Sequence, residues 1–128
     1  MPLSQTCVMV VDDQAVMRIL ILGHLRQLGV EQVHAFGDAA SALHALPAAR
    51  PDLVLTDVQM QPMDGLALVR ALRALPDREL STTPVVFLSG DDSPELHAEG
   101  DALGVCGYLA KPTTSAALAE LLTQVLGR

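Results

Sequence analysis

The sequence predicts an α/β protein with a doubly wound parallel sheet made of five strand–helix units. Short β-rich runs alternate with longer helical patterns along the 128 residues. This alternation is typical of parallel strands with helices on both faces of the sheet. Half of the residues are hydrophobic, which at this length allows one buried core. We therefore expect a single domain over residues 1–128.

Five segments are predicted to be strands. Val8–Val11, Leu53–Leu55 and Val85–Leu88 are apolar throughout, as expected of strands that are covered on both faces. Gln32–Phe36 alternates polar and apolar residues, which is typical of an edge strand. Gly107–Ala110 has the weakest pattern and is assigned to a strand from its place in the series.

Helical patterns fill the gaps between the strands, and several are bounded by residues that favour helix ends. Asp38 and Ser93 are suitable N-caps, and Pro94 suits a first helical turn. We expect Pro47 to follow the end of the second helix, and we expect the polar stretch 76–84 to be a long loop. In chain order, the predicted helices are Gln14–Leu28, Ala39–Leu46, Leu66–Leu75, one from Pro94 to about Gly104, and a last helix capped by Thr114.

The composition excludes several classes of function. The chain carries 15 acidic and 8 basic side chains, a net charge of −7, which disfavours direct binding to nucleic acids or anionic membranes. The apolar runs of the sequence, such as Cys7–Val11 and Ile19–Leu22, are at most five residues long and too short to span a bilayer. The chain start lacks the pattern of a signal peptide, so we expect a cytoplasmic protein. Cys7 and Cys106 are expected to be buried free thiols that do not pair.

Acidic, hydroxyl and amine side chains stand directly after the predicted strands. Asp12 and Asp13 follow the first strand, Asp57 the third, Ser89 the fourth and Lys111 the fifth. Because parallel strands share one carboxyl edge, where such sheets bind ligands, we expect these groups to lie together. Three close carboxylates repel one another unless a cation lies among them. Oxygen ligands without His or Cys suit Mg²⁺.

Each of these residues has an ordinary structural explanation when it is taken alone. An Asp after a strand is more often a helix cap than a ligand, and an isolated Lys is more often a solvated surface charge. The joint pattern at successive strand ends is what favours a functional site.

Four segments together resemble the receiver domain of two-component response regulators, and Met17–Arg18 and Gly107–Tyr108 resemble its chemotaxis-type subgroup. The four segments are Val10–Asp13, Thr56–Gly65, Leu88–Gly90 and Lys111–Pro112. The resemblance extends over a core of about residues 7–126 and implies a flavodoxin-like sheet with strand order 2-1-3-4-5. It also implies a signalling protein and not an enzyme. Such a protein catalyses only its own phosphorylation and dephosphorylation.

The resemblance implies a role for each matched acid. Asp57 would accept a phosphoryl group from a phosphohistidine on a sensor histidine kinase or a phosphotransfer protein. Asp12 and Asp13 would hold Mg²⁺ together with Asp57 and the backbone carbonyl of Gln59. A carboxylate is an established covalent carrier of phosphoryl groups, and such transfer depends mostly on positioning and charge neutralisation.

The resemblance also implies how the signal would leave the site. Ser89 and Lys111 would bind phosphoryl oxygens, and the Lys111–Pro112 peptide bond would be cis. Tyr108 resembles the switch aromatic that turns inward when Ser89 moves toward the phosphoryl group. The fourth predicted helix, the fifth strand and the last helix would form the face that binds a downstream partner, which the sequence does not identify.

Two positions bear on how long the phosphoryl group would last. In the family, the side chains two residues past the acceptor and two past the hydroxyl residue influence this lifetime, and here they are Gln59 and Asp91. We hypothesise that both lie where an attacking water must pass. Ser89 replaces the commoner Thr but keeps the hydroxyl donor.

Other classes of protein share parts of this pattern. The chain fits a stand-alone regulator that acts by protein–protein contact. It fits equally a receiver excised from a longer regulator or hybrid kinase that controls an attached output domain. An Asp-nucleophile phosphatase would need a second acid where Gln59 stands. A flavodoxin-like cofactor binder would need a phosphate loop rich in Ser, Thr and Gly after the first strand, where Asp12 and Asp13 would repel a phosphate.

Overall fold

The strands form one parallel sheet. The computed structural model describes residues 3–90 and 93–127, and its five strands are arranged in the order β2-β1-β3-β4-β5. This order confirms the predicted flavodoxin-like α/β class, and the winding direction changes between β1 and β3. The strands are β1 Cys7–Val11, β2 Gln32–Phe36, β3 Leu53–Asp57, β4 Val85–Ser89 and β5 Gly107–Ala110.

Helices connect the strands, and most begin at a capping side chain. Asp38, Asp64, Ser93 and Thr114 each accept a hydrogen bond from a backbone N–H three residues further on, which satisfies one of the open donors of the first turn. The described helices are α1 Ala15–Gln27, α2 Ala39–Ala49, α3 Gly65–Arg73, α4 Arg78–Ser81, α5 Pro94–Ala102 and α6 Ser115–Leu126.

The second helix is longer than predicted. The sequence places Pro47 after its end, but Pro47 lies inside α2, which continues to Ala49. Proline near the end of a helix removes a single backbone donor, and the helix closes normally beyond it, where Arg50 N donates to Leu46 O at 2.9 Å. The buried side chain of Leu46 anchors this last turn to the sheet.

The short helix α4 lies within the stretch 76–84, so the prediction of a plain loop is wrong there. Asp77 caps α4 by accepting from the N–H groups of Glu79 and Leu80. Arg73 of α3 holds the following segment by donating to Ser81 O at 2.9 Å and to Thr83 O at 2.7 Å. A four-residue helix is too short to produce a helical period in the sequence.

The core has one layer on each face of the sheet. Successive residues of β1 alternate between the layers, as the pleat requires: Met9 and Val11 face one, and Val8 and Val10 face the other. Buried residues of α2, α3, α4 and α5 complete the first layer, and those of α1 and α6 complete the second. Both faces of the central strands are therefore covered, while the carboxyl edge of the sheet stays open for a site.

The two cysteines differ in exposure. Both are free thiols; Cys7 is buried and Cys106 is exposed, so the prediction of buried thiols is confirmed for Cys7 and wrong for Cys106. Cys106 directly precedes the edge strand β5, where solvent reaches one side of the chain.

No helix within residues 3–90 and 93–127 combines the length and the apolar character needed to cross a membrane.

Candidate functional site

Three carboxylates meet at the carboxyl edge of the central strands. Val11 of β1 pairs with Thr56 of β3, so the residues that follow, Asp12 and Asp57, come side by side. Asp12 is fully buried and Asp57 is 4% exposed, whereas Asp13 is exposed. One oxygen from each of the three carboxylates lies within 4.8 Å of the others. The structure thus brings together the three acids that the sequence singled out.

Lys111 places its ammonium group against two of these acids. Its Nζ atom lies 3.1 Å from Asp12 Oδ2 and 3.2 Å from Asp57 Oδ2, and it also donates to Gln14 Oε1 at 3.2 Å. Lys111 is the only lysine of the sequence. A single cation shared between two carboxylates, with Asp13 nearby, leaves the site negatively charged.

Burial and charge shift the pKa values of this group. Burial raises the pKa of Asp57, and the neighbouring charge of Asp12 raises it further. The ammonium of Lys111 and the backbone N–H of Gln59 work against this increase without cancelling it. Burial works to lower the pKa of Lys111, but its contacts with Asp12 and Asp57 outweigh burial and raise it. Keeping the Asp57 carboxylate ionised in this position therefore costs free energy, and an added cation would lower that cost.

The donor set fits a hard divalent cation. Asp12 Oδ2 is buried and lies 3.1 Å from Lys111 Nζ, and no other partner reaches it from the described part of the chain. A carboxylate oxygen has two lone pairs, so Oδ2 can accept a further positively charged ligand. Three carboxylate oxygens without nitrogen or sulfur ligands suit Mg²⁺ better than softer transition metals.

Backbone and side-chain contacts fix Asp12 from several directions. Its backbone N–H donates to Phe36 O at 3.0 Å, and its carbonyl accepts from Arg18 Nη1 at 2.7 Å. Its other carboxylate oxygen, Oδ1, accepts from the backbone N–H of Gln14 at 2.9 Å. The second oxygen, Oδ2, lies 3.1 Å from Lys111 Nζ.

Gly65 allows α3 to begin directly against the end of β3. Its backbone N–H donates to Val58 O at 2.7 Å. A Cβ atom at this position would overlap the backbone carbonyl of Asp57 and lie 2.9 Å from Val58 Cα. Because the backbone could not give way without moving Asp57, only glycine fits here.

Ser89, Gln59 and the Lys111–Pro112 bond lie at or just beyond strand ends at the same edge of the sheet. Ser89 ends β4 and is half-buried, and its carbonyl accepts from the Lys111 backbone N–H at 3.2 Å. Gln59 is exposed two residues beyond Asp57. The Lys111–Pro112 peptide bond is cis. Asp91 lies outside the described residues.

Tyr108 packs onto α5. Its hydroxyl donates to His97 O at 3.1 Å and to Asp101 Oδ1 at 3.0 Å, and its ring stacks on the His97 imidazole at a centroid distance of 3.9 Å. It also meets Phe87 edge-on at 6.1 Å. A Cβ atom at Gly100 would overlap the Tyr108 hydroxyl, so this glycine provides the space for the ring.

The comparisons with known proteins match this geometry. Residues 8–123 match the family model described as the response regulator receiver domain. The chain belongs to the response regulator receiver family. This receiver is 35% identical over 121 residues to the chemotaxis protein CheY-3 of Vibrio cholerae, covering 94% of this chain and 92% of that protein. It is 33% identical to the chemotaxis protein CheY of Pseudomonas aeruginosa, covering 94% and 96%.

Solved receiver structures have the same fold. CheY4 of Vibrio cholerae superposes with a TM-score of 0.86 at 32% identity, covering 94% of this receiver and 98% of that chain. The signal receiver domain of an HD domain-containing protein from Pseudomonas fluorescens gives a TM-score of 0.83 at 28% identity, covering 95% and 94%. The family resemblance inferred from the motifs is confirmed.

Sequence reasoning missed several residues around the site. Gln14 and Arg18 contact Lys111 and Asp12 from the start of α1, and His97 and Asp101 hold Tyr108. Gln14 directly follows the acidic pair, so its position at the same edge could have been inferred. The contacts of Tyr108 depend on how α5 packs on β5, for which the sequence carries no signal.

Proposed function

We propose that this receiver is a phosphoacceptor signalling switch in which Asp57 takes a phosphoryl group from a phosphohistidine. The observation that supports this most strongly is the position of Asp57. Its carboxylate is nearly buried, yet it lies against one ammonium and two further carboxylates at the open edge of the sheet. A helix cap or a surface acid would not need this combination.

The proposed cofactor is Mg²⁺. Asp12, Asp13, Asp57 and the backbone carbonyl of Gln59 would hold it, and the cluster of three carboxylate oxygens within 4.8 Å of one another supports this. When bound, the ion neutralises charge on the oxygens around phosphorus during transfer. The chain's own contribution is to keep the Asp57 carboxylate ionised and aligned, through the neighbouring ammonium of Lys111 and the anchored end of β3.

The chemical step exchanges one bond to phosphorus for another. An oxygen of Asp57 attacks the phosphorus, the phosphorus–nitrogen bond of the phosphohistidine breaks, and the imidazole leaves as the acyl phosphate forms. Hydrolysis reverses the state when water attacks the phosphorus, releasing inorganic phosphate and the free carboxylate. In this proposal the receiver catalyses only these reactions on itself. Ser89 and Lys111 would bind the phosphoryl oxygens.

The output would pass through Tyr108 to the face formed by α5, β5 and α6. Tyr108 belongs to β5 and contacts α5 through its hydroxyl and its ring, so a change in its orientation would alter that face. In the proposed switch, Ser89 moves toward the phosphoryl group and Tyr108 turns inward. The phosphoryl group would bias an existing equilibrium between two arrangements of this face.

Gln59 and Asp91 are proposed to tune the lifetime of the phosphoryl group. Gln59 is exposed two residues after Asp57, a position from which its side chain can hinder an attacking water. Unchanged dephosphorylation rates in Gln59→Ala and Asp91→Ala would count against this proposal.

The proposed phosphodonor is a sensor histidine kinase or a phosphotransfer protein. We propose that the whole chain is one receiver domain and that it acts in the cytoplasm. A second possibility is that this receiver is a module of a longer regulator or hybrid kinase. It is favoured by the similarity to a receiver domain within an HD domain-containing protein. In that case the α5–β5–α6 face would act on an attached output domain.

The central proposal is tested with acetyl phosphate as a small donor. We expect the wild type to gain the mass of one phosphoryl group in the presence of Mg²⁺, as a base-labile adduct, and to gain none after chelation. Asp57→Asn should stay unmodified, while Glu31→Gln, which removes an exposed acid before β2, should react like the wild type. An unmodified wild type, or equal modification of Asp57→Asn, would rule the proposal out.

A further inference from the structure

Gln14 contacts both the cation and one of the acids of the site. Its side-chain Oε1 accepts from Lys111 Nζ at 3.2 Å, and its backbone N–H donates to Asp12 Oδ1 at 2.9 Å. It has no place in the motifs that define the family resemblance. A single residue before α1 therefore touches Lys111 and Asp12 together.

The side chain of Gln14 does not serve its own helix. Gln14 occupies the N-cap position of α1, but its side chain makes no capping hydrogen bond. The caps of α2, α3, α5 and α6 all do so. At α1 the side-chain oxygen is directed at Lys111 instead.

Three contacts of the Lys111 ammonium with described residues differ in kind. Asp12 and Asp57 are acids that the proposed function also assigns to Mg²⁺ and to the phosphoryl group. Gln14 supplies a neutral oxygen that neither assignment uses. An ammonium has three donors on a flexible four-carbon stem, so a fixed neutral acceptor can hold it in place while the acids take part in the chemistry.

We propose that Gln14 is a positioning residue for phosphorylation, which keeps the Lys111 ammonium at the edge of the site where it meets the phosphoryl oxygens on Asp57. This inference rests on the proposed function. It assigns Gln14 no contact with the phosphoryl group, and its effect passes entirely through Lys111.

The proposal is tested by a double-mutant cycle on the rate of phosphorylation by acetyl phosphate with Mg²⁺. Gln14→Met keeps the side-chain length and removes the acceptor oxygen, and it should slow the reaction about threefold to tenfold, the typical net value of one solvent-exposed hydrogen bond. In a Lys111→Met background the same change should have no further effect. Gln27→Met, at the far end of α1 and about 20 Å away along its axis, is the matched control.

The outcomes separate this proposal from the proposed function. A wild type that forms no adduct overturns both. A wild type and Gln14→Met that react at equal rates, or a Gln14→Met effect that is the same with and without Lys111, overturn only the role of Gln14.

A spectroscopic measurement tests the proposal even if Lys111→Met reacts too slowly for its rate to be measured. Because the chain has one lysine, protein labelled with carbon-13 lysine gives a single set of side-chain signals. We expect Gln14→Met to shift the Lys111 Cε signal and Gln27→Met to leave it in place. An unchanged signal in Gln14→Met would overturn the proposal.

Discussion

The surroundings of Tyr108 strongly raise the pKa of its phenol. Burial raises its pKa to about 12, and the hydrogen bond to Asp101 and the negative charge of that carboxylate act in the same direction. The hydroxyl donates to this carboxylate, so losing the proton would place two negative charges 3.0 Å apart. The contact that fixes the ring on α5 therefore also resists ionisation.

This pKa can be measured directly, because Tyr108 is the only tyrosine and the chain has no tryptophan. We expect the tyrosinate absorbance of the wild type to rise with a midpoint well above the ordinary value of about 10. Asp101→Asn removes the charge and should move the midpoint down toward that value. Glu99→Gln, whose carboxylate pairs with Arg70 at 3.5 Å instead, is the control and should not.

The same shift has a consequence for stability at high pH. The folded state holds the phenol proton more tightly than the unfolded chain, so this contribution is present below pH 10 and is lost as the pH rises toward about 12. Circular dichroism followed in parallel separates ionisation in the folded state from unfolding. A wild-type midpoint at about 10, with the fold intact, would contradict the described contact.

The helix α1 shows how one element divides its apolar side chains between core and surface. Ile21 and Leu25 are fully buried against the sheet, whereas Val16 and Ile19 are 78% and 71% exposed. The sequence run Ile19–Leu22 is apolar throughout and does not reveal which isoleucine faces inward. Packing against β1 and α6 decides this.

We expect two isoleucine substitutions in this helix to differ sharply in effect. Ile21→Ala should lower the free energy of unfolding by about 2–5 kcal/mol, because it opens a cavity in the core. Ile19→Ala should change it by about 0.5 kcal/mol or less, as for most surface positions. Urea denaturation of both variants measures the difference, and comparable losses would show that α1 is rotated from its described orientation.

How far the elements could be predicted depends on how each one is determined. The central strands are apolar on both faces because helices cover both, and the sequence shows this directly. The end of α2 could not be predicted, since Pro47 is tolerated only because the last turn is anchored by Leu46. The site acids follow from the rule that parallel strands end at one edge, but the reach of Gln14 to Lys111 depends on side-chain conformation, which leaves no pattern in the sequence.

At the scale of the whole molecule, the net charge of −7 is concentrated in part at one functional edge. Three of the acids, Asp12, Asp13 and Asp57, share that edge with a single ammonium. Their mutual repulsion opposes the compact state when no cation is bound. A divalent cation bound there would therefore stabilise the entire fold, since it binds the folded chain and not the dispersed acids of the unfolded one.

We expect Mg²⁺ to raise the free energy of unfolding by about 2.7 kcal/mol at a concentration of roughly one hundred times its Kd. Asp12→Asn should remove most of this increase, whereas Glu31→Gln, which alters an exposed acid away from the edge, should keep it. The measurement is urea unfolding with and without Mg²⁺. Equal increases in all three proteins would indicate cation binding elsewhere.

Lys111, the one lysine of the sequence, is a single position for amine-specific modification. A reagent that acylates lysine side chains meets only Lys111, whose side chain is 14% exposed and paired with two acids. Modification of Lys111 requires those ion pairs to open. Its rate would therefore report how often they open.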